Sequence, residues 1–119
     1  MNKQGKVWGY TSPLFEKNNV EIHRLECHAG TFCSEHKHEH KYNMFLVESG
    51  KIEVDIWKTE YDLTDKTILK AGQSTVVKPG DFHQFKCVED AVVYEIYWVE
   101  LSHSDIVRRS VGGSKKEGE

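Results

Sequence analysis

Apolar and polar residues alternate with a period of two along much of this chain, and the alternation stops repeatedly on glycine, proline or acidic pairs. The clearest stretch is Lys51 to Trp57, where Ile52, Val54 and Ile56 fall on one side and Glu53 and Asp55 on the other. Successive side chains of a strand point to opposite faces, so this spacing predicts a half-buried strand with Glu53 and Asp55 in water. Val20 to Cys27 alternates more loosely and ends at His28-Ala29-Gly30. Met44 to Val47 is a short apolar strand closed by Ser49-Gly50. Further strands are expected at Ile68-Leu69, Ser74 to Lys78, Phe82 to Val88 and Ala91 to Val99. Ala71-Gly72, Pro79-Gly80 and Glu89-Asp90 separate them, and hydrophilic Lys58 to Asp65 reads as a hairpin connection. Many short strands with this punctuation predict an all-β sandwich or barrel. The one helical expectation is a short C-terminal turn from Ser104 to Arg109, capped by Ser102 or Ser104 and ending on two arginines. Gly112 to Glu119 has nothing to bury, so residues 1–111 are expected to form a single domain and 112–119 a flexible tail.

Composition narrows the function classes. A chain of 119 residues supports one modest core. The net charge of -3 and the lack of a basic stripe argue against a nucleic-acid partner. No apolar run is long enough to cross a bilayer, and polar Met1 to Lys6 does not read as a signal peptide. Cys27, Cys33 and Cys87 are odd in number and lack Cys-x-x-Cys spacing, which suits a reducing, cytoplasmic setting. Cys33 lies three residues before His36 but is expected to be a buried free thiol. Exposed sheet edges and an N-terminal stretch through Tyr10 that can cross to a partner sheet predict a homodimer.

The chemistry concentrates in His36-Lys37-His38-Glu39-His40 and in His83, which follows Lys78-Pro79-Gly80-Asp81-Phe82. Neutral imidazole offers a nitrogen lone pair to a metal without first losing a proton. Thr31 to His38 is polar for a strand, as expected if its inner face carries ligands. On such a strand His36 and His38 share a face, and His83 can supply a third nitrogen from elsewhere in the barrel. Glu35 and Glu39 then point to solvent. Trp8, Trp57 and Trp98 read as barrel wall, and Phe85, Tyr94 and Tyr97 as core. Arg24 and Lys78 are candidate cavity cations whose strand parity stays open.

These residues resemble a known family. Gly30, five residues, His36-x-His38, four residues, Asn43, six residues and Gly50 have the spacing of the first cupin motif. Gly72, six residues and Pro79-Gly80-x-x-His83 are similar to the second, with the proline one place late. The resemblance implies a double-stranded β-helix, or jelly-roll, cupin barrel. It also implies a divalent metal ion held in the family by His, His, Glu and His. His36, His38 and His83 match; Asn43 stands at the glutamate position and Cys87 where an asparagine often closes the second motif. A finer likeness rests on Val7-Trp8-Gly9-Tyr10, on Glu21 to Leu25, and on Asp105-Ile106-Val107-Arg108. These are similar to the cupin domain of type II mannose-6-phosphate isomerases. The Tyr-Gly-Arg tail of that subgroup is replaced by Arg109-Ser110-Val111-Gly112-Gly113. The nucleotidyltransferase domain often fused upstream is not part of this sequence, so the activity is expected to be complete in this unit or its oligomer.

The resulting expectation is a metal-dependent sugar or sugar-phosphate isomerase or epimerase-like enzyme. Its metal ligands would be His36, His38, His83 and Asn43, with His40 as an alternative to Asn43 should the shorter side chain not reach. Zinc, iron, manganese and nickel are all compatible ions. His40 is the candidate base, and Arg108 or Lys41 the candidate anchor for a substrate phosphate or carboxylate. The alternatives are a non-catalytic carbohydrate-binding or sensing cupin and a three-His iron dioxygenase.

Overall fold

The protein is described by a computed structural model over residues 3–58, 63–99, 105 and 107–115. Within them lie strands β1 (Gln4–Lys6), β2 (Gly9–Lys17), β3 (Val20–Cys27), β4 (Tyr42–Lys58), β5 (Leu63–Lys70), β6 (Ser74–Val77) and β7 (Phe82–Trp98). All pairings are antiparallel, in the order β1-β2-β3-β7-β4-β5, with β6 on β4.

Two 17-residue strands, β4 and β7, organise everything else. Their first pairing joins Tyr42–Val47 to Val93–Trp98, and their second joins Ile52–Trp57 to Phe82–Cys87. Between the two, the register shifts at Val47, Ser49 and Lys51. Such irregularities bend a strand and raise its twist, which lets one strand serve both faces of a barrel. Gly50 sits at the bend with φ of 81°, and a Cβ there would run into the Asp90 carbonyl. The sequence reading divided β4 at Ser49-Gly50 and β7 at Glu89-Asp90. The chain bends at both places without leaving the ladder.

Inward residues close one core: Phe45, Val47, Ile52, Val54 and Val93 are sealed from solvent, with Leu25, Val77 and Phe85 around them. Ile52, Val54 and Ile56 face inward as their alternation predicts. Trp8 packs edge-to-face on Phe85 at 5.1 Å, part of the wall as expected. Asp55 is a correction. It is 1% exposed, lying between β5 and β7, with one carboxylate oxygen 2.9 Å from Lys86 Nζ and the other without a partner. A central strand flanked on both sides hides even its outer face beneath long neighbouring side chains.

Other expectations change as well. Thr31 to His38 is not a continuous strand; it touches β7 through isolated bridges at Phe32↔Lys86 and His36↔His83. β1 and β2 escaped the reading because Pro13, Leu14 and Phe15 break the alternation at a bulge. The β2–β3 hairpin turns on Asn18 and Asn19, with φ of 52° and 65°, as a two-residue hairpin requires. Asp105 and Val107 to Arg109, the described part of the expected C-terminal turn, carry no helix. One isolated turn without a packing partner does not repay its nucleation cost.

Gly50→Ala should lower stability by about 1–3 kcal/mol, because it adds a side chain at positive φ against backbone. Gly112→Ala, in open space, should leave the urea midpoint unchanged.

Candidate metal centre

The histidine segment reaches β7 through backbone hydrogen bonds. His36 N–H donates to His83 O at 3.1 Å, and His83 N–H donates to His36 O at 2.8 Å. Gly80 N–H donates to His38 O at 2.8 Å, holding the segment against the turn before β7. Residues exchanging both hydrogen bonds in an antiparallel pair put their side chains on the same face. The ring centroids of His36 and His83 accordingly lie 4.4 Å apart, with His38 at 5.1 Å and 5.3 Å from them. One nitrogen from each ring lies within 4.8 Å of the others.

The hydrogen bonds select which nitrogens face the cluster. His36 Nδ1 is 2.9 Å from Ser34 O, and His83 Nδ1 is 3.1 Å from Asp81 O. A carbonyl only accepts, so each Nδ1 carries the proton and each Nε2 keeps its lone pair. His38 Nε2 is buried and has no hydrogen-bond partner. Burial, helped by Lys41 and the two other rings, holds the His38 imidazole down to about 4, so it is neutral at pH 7. Burial also lowers His83. Buried polar atoms rarely go unpaired, and an orphaned lone pair beside two others is a fitting place for a cation.

Asn43 adds a fourth donor, an amide oxygen. It is 1% exposed, and its Oδ1 lies 3.2 Å from His83 Nε2. With the His83 proton already on Nδ1, this contact sets two acceptors face to face, which a positive ion between them would resolve. The residues present therefore fit a divalent metal, with three imidazoles and one amide oxygen as neutral donors.

The cluster opens into a cleft with two lobes, of about 650 and 730 Å³. His38 lines the first and His36 the second, while Glu16, Glu21, Lys41 and Tyr97 border both.

Comparison with known proteins agrees with this geometry. The Cupin domain family matches residues 23–100. The chain belongs to the cupin family. Among solved structures, this cupin is similar to KdgF from Halomonas sp., at TM-score 0.72 and 16% identity over 85% of this chain and 88% of that one. It is similar to the capsular polysaccharide assembling protein CapF from Staphylococcus aureus, at TM-score 0.71 and 18% identity, covering 82% of this chain and 27% of that one. It is also similar to a variant of Bacillus subtilis oxalate decarboxylase, at 0.73 and 12%, covering 83% and 27% respectively. Identities this low show the shared jelly-roll fold alone. No curated protein sequence matches this one.

Within this cupin the other singled-out residues fall in distinct places. His40 is exposed and lines the first lobe beside His38, outside the cluster of three. Lys41 stands on the cleft wall, 3.9 Å from the Tyr97 ring and 3.9 Å from Glu21. Arg108 is exposed and lines neither lobe. Arg24 points outward to Glu26 and Glu48, because Leu25 and Cys27 take the inner face of β3. Lys78 is exposed and lines neither lobe. Cys33 is a buried free thiol raised to about 11 by burial, and it is not part of the metal cluster. Glu35 and Glu39 are exposed, as expected.

Sequence reasoning missed the polar inner face of β3 and β7. His23 and Glu21 share their side of β3 with Leu25, and Glu95 and Tyr97 share theirs on β7 with Val93. Tyr97, expected in the core, lies 5.1 Å from the His38 ring and borders the cleft. The available signal was parity: counting in twos from His83 reaches Glu95 and Tyr97 on the same face.

Metal-free protein should lose thermal stability as pH falls from about 6.5 toward 4. In that window the unfolded chain protonates His38 and His83 while the folded state resists, at least at His38. His38→Asn should flatten the melting-temperature profile between pH 7 and 4.5 relative to the parent protein. A profile of unchanged slope would contradict the neutral, buried imidazole.

Proposed function

We propose that this cupin is a metal-dependent enzyme that isomerises or epimerises a sugar or sugar phosphate, with His36, His38, His83 and Asn43 holding a divalent ion. The observation that carries the metal assignment is the unpartnered His38 Nε2, buried beside the cluster-facing lone pairs of two other histidines. A bound divalent ion supplies Lewis acidity toward a carbonyl or hydroxyl oxygen. The fully neutral donor set leaves that charge undiminished, favouring strong polarisation over tight binding.

The chain's own residues supply the rest. His40, at the rim of the first lobe, takes the proton from the carbon beside the substrate carbonyl and delivers it to the carbonyl carbon, while the hydroxyl on the first carbon passes its proton to the former carbonyl oxygen. Lys41, bordering both lobes, binds a substrate phosphate or carboxylate, the role the sequence also offered to Arg108. Tyr97 and Glu21 face the hydroxyl-bearing part of the ligand. A cleft with this much hydrogen-bonding wall suits a polyhydroxylated molecule. The likeness of the Trp8-Gly9 and Asp105 to Arg108 segments to type II mannose-6-phosphate isomerases supports the reaction class. The capsular polysaccharide assembling protein among the structural neighbours supports a carbohydrate ligand.

Asn43 in place of a glutamate favours a second reading, a carbohydrate-binding cupin whose ion orients a ligand without turnover. The two separate by NMR of sugar phosphates incubated with metal-loaded protein: the enzyme changes the anomeric and C2 signals, and the binder only broadens them. His38→Ala should abolish both metal retention and turnover. Unchanged turnover in that variant would remove the ion from the reaction. A Lys41→Ala variant should raise KM for phosphorylated substrates about tenfold or more with a smaller change in kcat, since it removes ground-state binding.

A further inference from the structure

The outer side of the sheet around the first β4–β7 pairing carries an apolar surface that the proposed reaction leaves unused. Phe15 of β2 stands opposite Ile22 of β3, and Ile22 opposite Ile96 of β7. Ile96 stands opposite Met44 of β4, and Met44 opposite Val76 of β6. One row of the register therefore crosses five strands without a polar residue. Leu25, Phe45, Val77 and Val93 hold the opposite parity and fill the core, so the row faces away from it. Val20, Trp98 and Tyr42 make the next row on one side, and Arg24, Tyr94 and Leu46 the next on the other. Among the described residues no element packs across this face, and the row's ends, Phe15 and Val76, are 44% and 40% exposed.

Five strands about 4.8 Å apart and three rows about 7 Å apart span roughly 24 by 20 Å. With side-chain relief this approaches the area of about 800 Å² that each partner gives to a stable protein complex, and apolar patches of this order mark interaction surfaces. The chemistry suits a second copy of the chain. Charges along the Arg24 margin are already paired within one chain, Arg24 with Glu26 at 3.1 Å and Glu48 at 3.9 Å, and Glu26 with Lys3 at 2.8 Å. That margin has no net sign, so it neither calls for a partner of opposite charge nor repels its own duplicate. A two-fold axis laid along β7, the middle strand of the five, turns each row onto itself with its ends exchanged. Phe15 then meets Val76, Ile22 meets Met44, and Ile96 meets its own counterpart. The bulky end of the row faces its slim end, as close packing requires. Arg24 of one copy comes to lie over Leu46 of the other, beside Glu48. We infer that two copies of this chain associate through this face, sheet on sheet, with β7 packed against β7. The contact is a sheet face, distinct from the strand edges that the sequence suggested.

Sedimentation equilibrium of the full chain tests this. The parent protein should be a dimer. Phe15→Lys or Val76→Glu should each raise its dissociation constant about a hundredfold or more, because each buries an unpaired charge at the contact. Both positions are exposed in the single chain, so each variant should keep the circular dichroism spectrum of the parent. An equimolar mixture of the two variants should regain a dimer. In the mixed pair the introduced cation meets the introduced carboxylate, and the other end keeps Phe15 against Val76. Ile68→Lys, at an exposed position of β5 outside this face, should leave association unchanged. A parent protein that stays monomeric up to millimolar concentration would overturn the inference, as would a dimer insensitive to both substitutions or a mixture that stays monomeric. Binding of a monomeric parent to phosphatidylcholine vesicles, lost in Phe15→Lys, would overturn it by assigning the face to a bilayer.

Discussion

Two reciprocal backbone hydrogen bonds between His36 and His83 are the constraint on which the site depends. They join an irregular segment to the start of β7 and bring two imidazoles from positions 47 residues apart onto one face. Side-chain attraction could not do this, since three imidazole lone pairs converging without a cation repel one another. The backbone sets the convergence, and the carbonyls of Ser34 and Asp81 set the tautomers. Because these contacts are backbone bridges to β7 and the turn before it, the donor set is pre-organised, and little ordering remains when a ligand arrives.

Barrel architecture explains why so polar a site survives inside a small core. β4 and β7 each bend near their middle, and both of their pairings contribute residues to the core and to the site. In one pairing Phe45, Val47 and Val93 fill the core while Asn43 and Tyr97 border the site; in the other Val54, Phe85 and Cys87 fill the core while His83 joins the site. Inward parity therefore carries two meanings along a single strand. The carboxyl side chains of Glu95, Glu21 and Glu16 line the second lobe beside the neutral ring of donors.

The cupin assignment was legible because it rests on spacing: Gly30, His36, His38 and Gly50, then Gly72, Gly80 and His83, hold positions that survive low overall identity. Gly50 shows why, since its positive φ and contact with Asp90 admit no side chain. The barrel strands with plain alternation, such as Ile52 to Ile56, were equally legible. β2 was not, because its bulge at Pro13 shifts the phase of the pattern. Asp55 misled because burial on the outer face depends on the strands and lysines alongside, which a period-two pattern does not contain. The C-terminal turn misled because capping residues alone do not make a helix without a surface to pack on.

By itself the sequence determined the fold class, the three histidines and the replacement of the motif glutamate by Asn43, since each is a matter of residue type at a fixed interval. Only the tertiary structure decided that Asn43 reaches His83, that His38 Nε2 lacks a partner, and that Glu95 and Tyr97 enter the cleft. Strand register and bend bring those groups together across long stretches of chain. A register is a relation between strands, and no single strand's pattern records it.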